Sequence, residues 1–86
     1  MTRTRKKQLQ REERRNQEAK RKARRQAKVL EDEIHNLEAV IASLDIRLAD
    51  PSIYDDYEKA VEVSKKREDA EKSLEKTWEA YFELMD

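Results

Sequence analysis

Apolar residues recur at Leu30, Ile34, Leu37, Ile41, Leu44 and Leu48, with spacings of 4, 3, 4, 3 and 4. That alternation is a heptad seam, with Ile34, Ile41 and Leu48 in one set and Leu30, Leu37 and Leu44 in the other. The same phase runs back through Ala27 and Ala23, then meets Lys20, Asn16 and Glu13, which do not suit a seam. The apolar stripe therefore begins near residue 23, while strong helix formers let the helix itself run further back. A lone polar helix is marginal in water, so fraying toward Met1 is expected.

The first helix stops at Ala49-Asp50-Pro51-Ser52. Pro51 has no amide hydrogen and disfavours helical geometry at Asp50, which is itself suited to cap a short turn beginning at Pro51. Ile53 and Tyr54 are expected to fold over the end of the seam. Asp55 and Asp56 are start signals for a second helix, since negative charge is favoured at a helix N-terminus. Its seam is Ala60, Val63, Arg67, Ala70, Leu74, Thr77, Tyr81 and Leu84, with Val61, Trp78 and Met85 one residue beside it. Arg67 and Thr77 interrupt the stripe, so it calls for a partner helix.

These stripes predict an all-α fold: a two-helix antiparallel coiled-coil hairpin with an N-terminal basic helical extension. Residues 1–22 read as a basic linker, partly helical or disordered, and residues 23–86 as the hairpin. Within the hairpin the first helix runs to about 49, the turn spans 50–54 and the second helix runs from about 55 to 84. The second helix, ~45 Å long at the standard rise, would pair back to about residue 21. Leu74, Trp78 and Tyr81 would then lie near the Ala23-to-Ile34 stretch, with small Ala23 and Ala27 facing large Tyr81 and Trp78.

Composition agrees. The 86 residues contain no Gly and one Pro, and 47% are charged, so the tight turns of a sheet protein are out of reach. The absence of Cys excludes disulfides and thiolate metal sites. No apolar run approaches the ~20 residues a membrane span needs, and no apolar segment follows the basic start, so a cytoplasmic location is expected.

Charge changes the picture most. The formal net charge of zero conceals two opposite halves. Residues 1–28 hold 13 Lys and Arg against 3 Glu, whereas residues 29–86 hold 7 Lys and Arg against 17 Asp and Glu. Such asymmetry suggests a polyanion-binding arm on an acidic body. Phosphate backbones attract a field of this kind through counterion release, without regard to sequence. The candidate nucleic-acid-binding residues are Arg11, Arg14, Arg15, Lys20, Arg21, Lys22, Arg24, Arg25 and Lys28, spread around most of the helix circumference. Only Leu9 is large and apolar among the first 28 residues, which argues against a membrane-surface helix. No aromatic is interleaved there, so the basic run itself offers no base stacking. A merely soluble connector is the plainer alternative.

Catalysis finds no footing in the sequence. His35, the one histidine, follows a seam residue and is expected on a solvated flank. The acidic pairs Asp55/Asp56 and Glu68/Asp69 are adjacent, and adjacent helical residues point apart. Neither a cofactor nor a metal is implied, and no enzyme activity is expected of this chain. The aromatics Tyr54, Tyr57, Trp78, Tyr81 and Phe82 offer a stacking platform as one reading, but they read first as structural, with Trp78 and Tyr81 in the seam and Tyr54 packed at the turn.

One stretch carries a resemblance. The heptads from Leu30-Glu31-Asp32-Glu33-Ile34 to Leu48 lead into the corner Leu48-Ala49-Asp50-Pro51-Ser52-Ile53-Tyr54-Asp55-Asp56-Tyr57. Val63-Ser64 and Trp78-Glu79-Ala80-Tyr81-Phe82-Glu83-Leu84 follow. Together these residues resemble the C-terminal coiled-coil domain of the ABC-F proteins, a non-transporting branch of the ATP-binding cassette ATPases. Residues 3–28 resemble the charged linker that precedes that domain. The resemblance implies a fragment of a larger ribosome-acting ATPase, in which this domain is linked to DNA or ribosomal RNA. The implied partners are nucleic acid, bound without sequence preference, and the ATPase cassettes of the parent chain. No membrane partner is implied, and the hairpin is expected to be monomeric. Arg67 and Thr77 depart from the leucine-rich second helix of that family. The tRNA-contacting arm of valyl-tRNA synthetase is a similar hairpin with an Asn/Asp-Pro corner, which the Tyr-rich corner here fits less well. The rival classes are a basic leucine-zipper-like dimer, from Leu30, Leu37 and Leu44 after a basic region, and a purely structural coiled coil.

Overall fold

The computed structural model describes residues 2–85. Helix α1 spans Arg3–Leu48, α2 spans Pro51–Tyr54 and α3 spans Tyr57–Met85. No strand occurs among the described residues. Helices α1 and α3 pack against each other over the C-terminal half of α1, within a rod 78 Å long and only 14 × 13 Å across, so the fold is an all-α hairpin.

Each helix end has a local cause. Thr2 caps α1 by accepting the Arg5 amide on its hydroxyl oxygen at 3.4 Å. Met1, toward which fraying is expected, lies outside the described residues. From Arg3 the helix is unbroken to Leu48, so the basic stretch and the seam share one axis. Pro51 then stands in the first turn of α2, and Asp50 caps it by accepting the Ser52 amide at 2.9 Å. That hydrogen bond holds the Asp50 carboxyl below the usual aspartate range. Asp55 ends α2 rather than starting the long helix, and Asp56 caps α3 by accepting the Lys59 amide at 3.3 Å. The expected turn at 50–54 is thus a one-turn helix with its own caps, and the second long helix starts at Tyr57 instead of about residue 55.

The core is the expected seam. Ile34, Leu44, Val63 and Ala70 are buried, Val63 to 1% exposure. Leu30, Leu37, Ile41, Leu48, Ala60, Leu74, Thr77, Tyr81 and Leu84 are half-buried along the same line. A seam shared by only two helices cannot enclose most of its side chains. The three zipper-spaced leucines, Leu30, Leu37 and Leu44, are therefore occupied within the chain.

Both polar residues on the α3 seam are satisfied. Arg67 donates across the helices to Asp45, with Nη2 at 3.4 Å from Oδ2 and a closer contact from Nε, and along its own helix to Glu71. The Asp45 contact first, then Glu71, raises the guanidinium pKa further. Thr77 donates its hydroxyl to the Ser73 carbonyl at 2.8 Å.

Two cross-helix contacts set the pairing. Arg67 meets Asp45, and Tyr81 donates its hydroxyl to Glu31 at 3.1 Å. Moving from the first contact to the second advances 14 residues on α3 and retreats 14 on α1, so one antiparallel register holds throughout. Continued to its end, that register sets Met85 level with Ala27, so α3 does not reach residue 21. The expected facing of Ala23 and Ala27 by Trp78 and Tyr81 is replaced: Tyr81 meets Glu31, and Trp78 lies beside His35 and Glu38. The additional turn of α2 causes the shift. It consumes residues that a tight corner would have left to α3.

Candidate functional site

The register leaves α1 without a partner from Arg3 to about Gln26, a helical arm ~36 Å long at 1.5 Å per residue. Arg11, Arg14, Arg15, Lys20, Arg21, Lys22, Arg24, Arg25 and Lys28 are all exposed on this arm or at its root. One unbroken helix carries them, so their angular order is fixed. At about 100° per residue, Arg11, Arg14, Arg21, Lys22 and Arg25 fall within roughly 100° of one another, on the side turned away from the seam. Glu18 is the acid inside that sector, and it shares a shallow depression with Arg15, Arg21, Lys22 and Arg25.

Lys20, Arg24 and Lys28 widen the positive sector on one flank. Lys28 is the member with an ion-pair partner among the described residues, Asp32 one turn on at 3.1 Å. That hydrogen bond raises its pKa. The line that continues the seam is different. It carries Leu9, Glu13, Asn16, Ala23 and Ala27, and Lys20 is the basic residue on it from Leu9 onward. The positive charge therefore forms a broad stripe rather than an even sleeve. A count of basic residues without the seam's phase does not reveal that distinction.

The seam end of the arm adjoins an aromatic group that sequence reasoning assigned to the core. Tyr81 does sit half-buried in the seam, and Glu31 raises its phenol pKa by accepting its hydrogen bond. Trp78 instead lies on a flank at 36% exposure and stacks on Phe82, with ring centroids 5.5 Å apart and planes 23° apart. Phe82 is 58% exposed. Val61 and Met85, expected to widen the stripe, are exposed as well, and at the corner Ile53 is half-buried while Tyr54 is exposed. The spacing of Trp78, Phe82 and Met85, 4 then 3, is the sequence signal for a stripe of their own.

No group of three or more His, Cys, Asp or Glu able to hold a metal ion occurs among the described residues. His35 is exposed, as its place beside Ile34 requires. No helix among the described residues is long and apolar enough to cross a membrane.

A continuous α1 followed by a capped Asp-Pro corner and a returning α3 is the geometry expected from the resemblance. The family model described as the ABC transporter C-terminal domain matches residues 4–86. The chain belongs to that family. The match begins inside the basic arm, so the ABC transporter C-terminal domain includes arm and hairpin as one unit here. No curated protein and no solved structure matches the chain.

Proposed function

We propose that this domain is the non-catalytic nucleic-acid-binding tail of an ABC-F ATPase acting at the ribosome, with DNA or ribosomal RNA backbone as its ligand. The observation that supports this reading best is the arm itself. A helix bearing thirteen exposed basic residues from Arg3 to Lys28 projects beyond the point where its partner ends. Its stripe is wide enough to follow a phosphate backbone, and the acidic hairpin would be repelled by the same ligand. The arm then joins the hairpin to the cassettes of the parent chain, and the rigid hairpin fixes the orientation of its basic stripe. The location implied is the cytoplasm, and the domain works as one copy, since its seam is filled internally.

Fluorescence anisotropy with a labelled RNA or DNA duplex tests the reading. Affinity should fall steeply from about 50 to 200 mM salt, with a log–log slope reduced by roughly one per phosphate contact removed. Arg21→Gln, Lys22→Gln and Arg25→Gln together should lower the slope by two to three. No binding at low salt, or binding indifferent to salt, would refute it.

A further inference from the structure

We propose that the Trp78–Phe82 ring pair is a stacking platform for a base of single-stranded nucleic acid, placed where the basic arm leaves the hairpin. The proposal rests on the nucleic-acid reading above and specifies the strand form the domain prefers. Three observations converge on it.

The first is the state of the rings. Trp78 and Phe82 are stacked on each other, and more than half of Phe82 is exposed. Tyr81 meets both rings edge-on, at 5.8 and 6.2 Å between centroids, and is itself tied to Glu31. The pair is thus held in place while its outer member stays open. An exposed, braced aromatic face is what a base needs for stacking.

The second is direction. Going from Trp78 to Phe82 moves along α3 toward its C-terminal end, and in this antiparallel register that is toward the N-terminal end of α1. One more ring added to the column would lie level with the root of the arm, near residues 24–28.

The third is charge on the same flank. Trp78 and Tyr81 border Glu31, His35 and Glu38 of α1. Those three residues continue backward, at helical spacing, through Lys28 to Arg24. On α3 the aromatic stripe continues the other way into Glu75 and Glu71. The rings therefore sit between an acidic stretch, which repels a phosphate chain, and Arg24 and Lys28, which attract one; Asp32 offsets part of the Lys28 charge. A single strand can lay its backbone along the arm and turn a base onto Phe82. A duplex, whose bases are already stacked, cannot.

Trp78 is the one tryptophan, so its fluorescence reports on the site. The 86-residue chain is titrated at low salt with a single-stranded oligonucleotide, a duplex of equal length and inorganic polyphosphate. The single strand should quench Trp78, and polyphosphate should bind without quenching. Phe82→Ala should weaken the single strand roughly five- to a hundredfold and leave the duplex unchanged, with helix content by circular dichroism unaltered. Saturating single strand that leaves Trp78 unquenched, or an equal loss of both strand forms in Phe82→Ala, would overturn the platform while the arm's binding stands. Failure of all three ligands to bind would remove the nucleic-acid reading as well. A dimer in sedimentation that Phe82→Ala dissolves would assign the rings to a second copy of the chain and overturn the proposal.

Discussion

Ile34→Ala and Ile46→Ala make the same chemical change on the same helix in opposite surroundings. Ile34 is 4% exposed in the seam and Ile46 is 74% exposed. Truncating isoleucine to alanine removes three carbons, which at about 0.8 kcal/mol per buried CH₂ is a loss of ~2.4 kcal/mol for Ile34. A cavity contribution adds to this, but a seam two helices wide opens readily to water, so the total should stay near 2.5–3 kcal/mol. For Ile46 the transfer loss is small, and the better helix propensity of alanine offsets much of it, leaving a change within about 0.5 kcal/mol. Urea denaturation followed by circular dichroism and by Trp78 fluorescence measures both variants. The expected result for Ile34→Ala is one shifted transition seen by both probes, since a single seam holds α1 and α3. Comparable losses in the two variants would refute the argument. So would a Trp78 transition that stays in place while the helical signal shifts.

Three further outcomes follow from individual contacts. Ala70 is buried between the long helices, so Ala70→Leu should overfill the seam and cost about 1–3 kcal/mol in the same urea assay. The Asp50 carboxyl is held below its ordinary value by the Ser52 amide, so its contribution is present above the unfolded aspartate pKa and is lost as pH falls through the lower folded value. Acid unfolding between pH 5 and 2 should therefore be steeper in the native chain than in Asp50→Ala, and parallel curves would contradict the cap. The Tyr81 phenol is raised by Glu31, so its contribution is full below the unfolded tyrosine pKa and is lost as pH rises through the folded value. Absorbance titration should show the Tyr81 ionisation moving down in Glu31→Gln.

The seams were legible because heptad spacing survives interruptions. Arg67 and Thr77 lie on the α3 seam although neither is apolar, and the phase of Val63 and Ala70 places them there. The Pro51 stop and the Asp50 cap were legible for a different reason, since each is a local backbone rule. Register was not legible. A slip of about one heptad re-seats the same stripe, and the sequence offers no penalty against it. In the slipped pairing Arg67 would stand near Glu38, another acid, in place of Asp45. Only the length of the corner decides, and its capped turn from Asp50 to Asp56 became visible in the structure. The flank position of Trp78 is independent of that slip, since one residue after Thr77 it stands beside the seam in either register.

The charge asymmetry was legible from counting, but its arrangement was not. The long α1 transmits the phase of Leu30 and Ile34 into the arm, which sets most of the basic stripe on the side away from Leu9, Asn16 and Ala23. The hairpin thus sets the orientation of residues it never touches.

Backbone amide chemical shifts of the ¹⁵N-labelled chain, followed as a short duplex is added at low salt, test the central claim most directly. The expected result is perturbation confined to residues 11–28, with residues 57–77 of α3 silent. No perturbation, or perturbation centred on the Asp50–Asp56 corner and the acidic face of α3, would contradict it.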